Sequence, residues 1–389
     1  MKDKKILILG GTGHLGSSLV HTLVSSQKIS SSDIRVFYLP DSPKDSLAEL
    51  PGIDFFSGNI LNPLQVEKAM EGVQWVFHAA GNTSFDPRQK EIQWKINVEG
   101  TRNVLEACLK NPVFERLCYI STVNALGLPQ PLGSIGTWET CDPYESVPRI
   151  HSFKNATETM DFIEKAKKSD PRKWVSDLGI AYFDSKLAAQ ELVNWYHFHT
   201  KIPVVSIYPG TMFGPNDYLI GNGMYLLSLY RSEMPAVLDG GLPLTHILDV
   251  AEGCIEALKN GKNGGHYVLT GQESDQLSLL EMTQKITEVL QRKFPEKIFR
   301  APQYIIPKRI ALAAAWLSEN YAKLSNSPCL LSVQAVKAGQ FKSWYSYSAA
   351  ESDFGYSPRR SFEQAVDEMI DYYQKYNLFG AKGRYLDQR

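Results

Sequence analysis

Apolar and polar positions along the first half of the chain fall into two rhythms. Short, nearly unbroken apolar runs at Lys5–Leu9, Ile34–Leu39, Gly52–Phe56, Gln74–Ala80, Leu117–Ser121 and Pro203–Tyr208 read as buried strands. Between them, apolar residues recur every three or four positions, most clearly at Leu64–Glu71, Ile92–Leu109 and Tyr182–Phe198, as in amphipathic helices. Leu15, Leu19 and Leu23, with Val20 and Val24 beside them, give the same one-sided stripe directly after the first strand. Strands alternating with helices predict an α/β fold with a parallel, doubly wound sheet.

After Tyr208 the rhythm changes. Met224–Tyr230 is helical in pattern, Thr245–Leu258 runs from a short strand into a helix, and His266–Thr270 reads as a strand. A helix over Ser278–Arg292 opens with the capping-box pattern Ser278-Leu-Leu-Glu281, and a last helix spans Phe362–Tyr376. This mix predicts a first domain over 1–208 and a smaller mixed α/β lobe over 209–389, with 245–258 returning to the first domain. Gly127–Ile180 is long, rich in Pro, Gly and charge, and carries a helix-like stretch, Asn155–Lys168. It reads as an insertion over the open edge of the first domain.

Composition narrows the class. With 389 residues the chain has material for two cores, and 41 basic against 42 acidic residues leave no global field to draw in nucleic acid or an anionic membrane. Its five cysteines (108, 118, 141, 254, 329) are odd in number and lack C-x-x-C spacing, which fits free thiols in a reducing, cytoplasmic compartment and no metal site. The first strand starts within a few residues of Met1, so no signal peptide is expected. The apolar run Ile310–Leu317 is far short of the roughly 20 residues a membrane span needs. A helix packed on the second lobe is the preferred reading; the alternative is a helix in a membrane interface, with Lys308 and Arg309 at one end and Trp316 as an anchor.

Three stretches carry chemistry. Gly10-Gly-Thr-Gly-His-Leu-Gly16 lies between the first strand and the first helix. Glycines at 10, 13 and 16 let the backbone turn tightly, and the helix N-terminus behind them offers unpaired N–H groups to a pyrophosphate, so a dinucleotide site is expected. Tyr182-Phe-Asp-Ser-Lys186 puts a phenol and an ammonium on one helix face. A neighbouring cation favours the phenolate and brings a tyrosine toward acid–base work near neutral pH. Tyr304 and Lys308 have the same spacing, but Pro307 between them argues against a shared helix face. Tyr119-Ile-Ser-Thr-Val123 ends a strand with two hydroxyls, which either hold a substrate oxygen or cap the next turn.

Taken in order, Gly10-x-x-Gly-x-x-Gly16, Val76-Phe-His-Ala-Ala-Gly81, Ser121-Thr122, Tyr182-x-x-Ser-Lys186, Pro209-Gly-Thr-Met-Phe-Gly-Pro215, Thr245-His-Ile-Leu-Asp-Val-Ala251, Gly265-His-Tyr-Val-Leu-Thr-Gly271 and Phe354-Gly-Tyr-Ser-Pro358 resemble the extended short-chain dehydrogenases/reductases. The C-terminal half looks most like the dihydroflavonol-reductase and 3β-hydroxysteroid-dehydrogenase branch. The resemblance implies a Rossmann-type sheet, Tyr182 as acid/base, Lys186 as its pKa partner and ribose ligand, and Thr122 (Ser121 second) as the hydroxyl on the substrate oxygen. It implies a cofactor site of Gly10, Thr12, Gly13, His14, Leu15, Gly16, Leu39, Asn59, Ile60, Ala79, Ala80, Gly81, Lys186 and Pro209, with Asn97 as a structural residue. Asn59 stands where relatives often carry Asp. At the end of the second strand Leu39 holds the discriminating place; Asp41 comes slightly late for NAD, while Arg35 and Lys44 could reach a phosphate, so the expectation leans to NADP.

The motifs and the resemblance together imply an NAD(P)-dependent oxidoreductase interconverting a carbonyl and a secondary alcohol on a fairly apolar small molecule. The alternatives are a nucleotide-sugar epimerase or dehydratase with recycled NAD, using Arg231, Lys293, Arg300 and Lys308 on a diphosphate, and a non-catalytic NAD(P)-binding sensor. A homodimer is compatible with the resemblance.

Overall fold

The computed structural model describes residues 4–127, 135–136, 179–325, 327, 329 and 331–381. The helix expected at Asn155–Lys168, and most of the expected insertion with it, lies outside the described residues.

Seven parallel strands form the central sheet. In chain order the first half gives β1 (Ile6–Leu9), α1 (His14–Ser25), β2 (Ile34–Tyr38), β3 (Asp54–Ser57), α2 (Pro63–Met70) and β4 (Trp75–His78). Then come α3 (Lys90–Trp94), a π-helical turn (Lys95–Glu99), α4 (Gly100–Lys110), β5 (Arg116–Ile120), the two-residue β6 (Ile135–Gly136), α5 (Ala181–Thr200) and β7 (Val204–Pro209). The second half comprises β8 (Thr211–Phe213), α6 (Gly223–Tyr230), β9 (Ala236–Val237), β10 (Gly241–His246), α7 (Ile247–Asn260), β11 (His266–Leu269) and β12 (Gln276–Ser278). It ends with α8 (Leu279–Lys293), β13 (Tyr304–Ile305), α9 (Lys308–Ser325), α10 (Val333–Ala338), β14 (Trp344–Tyr345), α11 (Ser348–Phe354) and α12 (Phe362–Lys375).

The sheet order is β11-β7-β5-β4-β1-β2-β3, so the strand order reverses between β1 and β4. Crossover connections pass to opposite faces on the two sides of that point, which opens a crevice at the C-terminal strand ends. The strands expected from sequence are present, with ends shifted by one or two residues. They are legible because both sheet faces are covered: Ile6 and Ile8 face one core with α1 and α7, while Leu7 and Leu9 face another with α2, α4 and α5.

One strand sits elsewhere than its place in the chain suggests. His266–Leu269 belongs to the central sheet, pairing in parallel with Ser206–Pro209. α7 packs its Ile247, Val250, Ala251 and Ile255 into the same core as Leu15, Leu19 and Leu23 of α1. β8, α6, β10, α8 and α12 enclose a separate core that includes Phe213, Leu226, Met282, Ile286, Phe362 and Met369. The expected capping box is made: Glu281 N donates to Ser278 Oγ at 3.2 Å and Ser278 N to Glu281 Oε2 at 2.9 Å. Tyr304 lies in β13 and Lys308 opens α9, so that second Tyr–Lys pair does not share a helix.

Candidate active site

The glycine loop joins β1 to α1 at the reversal point. Gly10 has φ +78°, and a Cβ there would stand 2.7 Å from Ala80 Cα; a Cβ on Gly16 would collide with the Gly10 carbonyl. These contacts pack the loop against the end of β4 as tightly as backbone allows. Gly13 is the N-cap of α1 and brings no side-chain acceptor, so the first-turn N–H groups of His14, Leu15 and Gly16 are left to an outside anion. That cradle fits the pyrophosphate of a dinucleotide. Thr12 and Leu15 are buried, Leu15 in the core beneath the loop, and His14 Nε2 lies 3.0 Å from Pro215 O. Burial lowers the His14 pKa, leaving the ring neutral as a donor to that carbonyl.

Ala79, Ala80 and Gly81 follow β4, Ala79 N donating to Leu9 O at 3.0 Å. Gly81 passes so close that a Cβ there would lie 3.2 Å from Asn97 Oδ1 and 3.4 Å from Lys186 Nζ. Pro209 is buried at the end of β7 beside Leu269. Leu39 is exposed just past β2. Asn59 Oδ1 accepts Leu61 N at 2.9 Å in a local turn. Ile60 packs on Gly100, and its carbonyl accepts Asn103 Nδ2 at 2.9 Å. Arg35 is a correction to the expected phosphate ligands: it sits at the N-terminal end of β2, its Nε donating to Asp54 at 2.8 Å and Nη1 to Ala69 O at 2.9 Å. Lys44 lies over the rings of Tyr38 and Phe55, 5.3 and 5.2 Å from their centroids.

α5 carries Tyr182 and Lys186 one turn apart, both buried. Lys186 Nζ donates to Ile120 O at the end of β5, 2.9 Å away, and lies 5.6 Å from the centroid of the Tyr119 ring. Burial pulls its pKa down from 10.5 to about 8. Phe85 meets the Tyr182 ring edge to face at 5.7 Å, and Phe183 and Ala338 close the same apolar cluster. Thr122 follows β5 in extended conformation, and its Oγ1 accepts Asn124 N and Asn124 Nδ2, each at 3.3 Å. Two acceptances cap the next turn and leave the hydroxyl proton to give. Ser121 is buried beside it, its N–H on Ile207 O at 2.7 Å.

A buried chain of hydrogen bonds fixes α5 from behind. Asn97, within the π-helical turn, accepts Asn82 N at 2.8 Å and donates through Nδ2 to Asn82 O and Ser185 Oγ, both at 2.9 Å. Ser185 Oγ in turn donates to Tyr182 O at 2.9 Å. The turn itself is held by Thr101 Oγ1, which donates to Asn97 O at 2.6 Å and accepts His78 Nε2–H at 3.0 Å. Desolvation, with the Lys186 charge nearby, depresses the His78 pKa to about 3, so its ring stays neutral. From the second lobe, Gln334 Oε1 of α10 accepts Ala181 N at 2.8 Å and caps α5. Neither Thr101 nor Gln334 stands out in the sequence, and His78 enters it only as one position of the Val76–Gly81 motif. The one available signal is at Ile180, a residue with no capping group before a strong helix.

The fold is a Rossmann-type sheet whose strand order reverses between β1 and β4, and this arrangement of side chains lies at that crevice. Residues 7–149 match the 3-beta hydroxysteroid dehydrogenase/isomerase family. A candidate dihydroflavonol 4-reductase of Synechocystis sp. is 28% identical over 375 residues, covering 95% of this chain and 94% of the relative. The sterol-4-alpha-carboxylate 3-dehydrogenase (decarboxylating) of Mus musculus is 24% identical over 392 residues, 95% of this chain and 91% of its own. Among solved structures, UDP-glucuronic acid 4-epimerase from Bacillus cereus, in complex with UDP-glucuronic acid and NAD, superposes with a TM-score of 0.65 at 19% identity, covering 97% and 100% of the two chains. Over nearly its whole length the chain is thus similar to dihydroflavonol-reductase-like and 3β-hydroxysteroid-dehydrogenase-like relatives, in line with the resemblance to extended short-chain dehydrogenases/reductases.

Proposed function

We propose that this protein is an NAD(P)-dependent oxidoreductase that interconverts a carbonyl and a secondary alcohol on a small apolar molecule. The observation that carries the reading is the buried Tyr182–Lys186 pair at the C-terminal sheet edge, beside Gly81 and the end of β5. Tyr182 Oη gives a proton to the substrate oxygen in reduction and takes it back in oxidation. The Lys186 ammonium stabilises the phenolate between those events, in surroundings dry enough to strengthen the attraction. The Thr122 hydroxyl, anchored by Asn124, donates to the same substrate oxygen and holds it near the phenol. A nicotinamide cofactor, when bound, supplies or accepts the hydride. Gly10–Gly16, Ala79–Gly81, Lys186 and Pro209 are the residues that would hold it; Leu15 and Asn59 would contribute backbone, since the Leu15 side chain is in the core and the Asn59 amide oxygen already serves a turn. With Arg35 bound to Asp54, the lean to NADP rests on Lys44 alone.

Apolar surroundings support the substrate class. Phe85, Phe183 and Ala338 ring the phenol, and the mouse relative is named for a sterol substrate. The second reading, a nucleotide-sugar epimerase, is favoured by the shared fold with an NAD-bound epimerase. It is weakened at its own residues: Arg231 donates to Phe379 O, and Lys293 pairs with Asp367 and Asp371. One experiment separates the readings. Wild type and Tyr182→Phe are purified, denatured for mass spectrometry of released nucleotide, and assayed with NADH and NADPH on apolar ketones. An oxidoreductase releases little nucleotide, turns over with one dinucleotide, and loses at least a thousandfold in kcat on Tyr182→Phe with cofactor affinity unchanged. Stoichiometric NAD from wild type would favour the epimerase, and undiminished turnover in Tyr182→Phe would remove the mechanism.

A further inference from the structure

α9 is apolar on two sides, and only one of them is packed. At about 100° per residue, Ala311, Ala315 and Ala322 fall on one side and are buried, the first two in a cluster with Val336 and Val333 of α10. Ile310, Leu317, Tyr321 and Leu324, with Ala313 and Ala314 between them, fall in one arc of about 100° on nearly the opposite side. Those four large side chains are 61–90% exposed, and Trp316, on the flank, is 60% exposed. Upstream of the helix, Tyr304 and Ile298 are also exposed, at 72% and 82%. Such a concentration on one face is the mark of a docking surface.

The charges around the face say what covers it. Between residues 296 and 325 stand five basic residues, Lys297, Arg300, Lys308, Arg309 and Lys323, against two acidic ones, while the whole chain carries −1. Among the described residues none of the five enters an ion pair, although Lys297 is taken up over the Tyr230 ring and donates to its hydroxyl, and Glu319 accepts Val333 N at 2.7 Å. Arg309 and Lys323 lie on the same flank of the helix as Trp316. A second copy meeting this face through a two-fold axis would bring like charges together. An anionic bilayer surface answers both the apolar arc and its basic rim.

We propose that α9 is a peripheral membrane-docking helix that lies in the interface of an anionic bilayer. The 18 residues of α9 lie along the surface, apolar arc down, with Trp316 at headgroup depth and Arg309 and Lys323 on lipid phosphates. No helix of the described residues is long and apolar enough to cross a membrane, so the contact is reversible. The sequence favours a packed helix here; α9 is packed, but on one of its two apolar faces. The proposal is independent of the reaction, because none of these positions touches Tyr182 or Lys186.

Flotation of the full chain with vesicles tests it, using phosphatidylcholine alone and phosphatidylcholine mixed with phosphatidylglycerol. The wild type should float with the anionic vesicles and far less with the neutral ones. Leu317→Glu combined with Tyr321→Glu should weaken that association at least tenfold while thermal unfolding stays unchanged, since both positions are exposed. Brominated lipids should quench part of the tryptophan fluorescence of the otherwise intact protein, a part missing in Trp316→Phe. The proposal fails if the chain ignores anionic vesicles, or if the double variant binds as well as wild type. It also fails if light scattering shows a dimer that the double variant dissociates and no vesicle binding accompanies it.

Discussion

Lys186 stores an electrostatic cost in the site. Its ammonium is buried, and its only hydrogen bond among the described residues is to the neutral Ile120 carbonyl, so the folded protein releases its proton at about pH 8 rather than 10.5. The unfolded chain holds that proton more tightly, and stability therefore rises with pH between about 8 and 10.5 and is lowest below that window. The difference corresponds to ~3 kcal/mol withheld at pH 7, at about 1.4 kcal/mol per tenfold change in proton affinity. Lys186→Met keeps the stem and removes the charge. After loss of the bond to Ile120 O, worth about 1 kcal/mol, it should stabilise the protein by ~2 kcal/mol at pH 7. Urea denaturation at pH 7 and pH 10 should show that gain shrinking as pH rises, with turnover abolished throughout. Equal stability of the two proteins at pH 7 would mean the ammonium is solvated and does not sit in a dry site.

At the scale of elements, α5 is held at its N-terminus by a residue of another lobe. Ile180 cannot cap it, and Gln334 Oε1 takes the Ala181 N–H instead. Gln334→Ala should cost about 1 kcal/mol by removing one capping bond. It should also lower kcat several-fold with KM little changed, because Tyr182 is the next residue along. Gln334→Glu keeps an acceptor oxygen and adds a negative charge at a helix N-terminus, so it should restore kcat. Loss of stability with kcat intact in the alanine variant would reduce Gln334 to a structural cap.

The same element shows what the sequence could reveal. The Tyr182–Lys186 spacing and the glycine loop are local patterns, and they lie where their spacing implies. The cap from Gln334, the Phe85 edge on Tyr182 and the His78–Thr101–Asn97 chain join residues far apart in sequence, and no local periodicity encodes them. Asn97 is readable as a helix residue, but the π-helical turn that turns its amide toward both Asn82 and Ser185 is not, since one extra residue per turn leaves no compositional mark. α9 misleads for a different reason: apolar residues on two faces look in sequence like a buried helix.

Across the whole molecule, both halves of the chain contribute strands to the central sheet. A boundary after residue 208 follows the change of rhythm in the sequence, yet β11 completes the sheet beside β7, and α7 covers α1 with Ile247, Val250, Ala251, Cys254, Ile255 and Leu258. A fragment ending at 208 would leave β7 as an edge strand, with its N–H and C=O groups unpaired on that side, and would expose the α1 stripe to water. At roughly 1.5–3 kcal/mol for each large aliphatic side chain uncovered, Ile247, Val250, Ile255 and Leu258 alone represent about as much as the net stability of a typical domain. The fragment 1–208 should therefore be insoluble, or collapsed without cooperative unfolding, as read by dye binding and thermal circular dichroism. The full chain should unfold in a transition that nucleotide binding at the glycine loop shifts upward. A soluble 1–208 fragment with a sharp transition and retained nucleotide binding would instead put the boundary at 208 and make α7 and β11 an accessory layer.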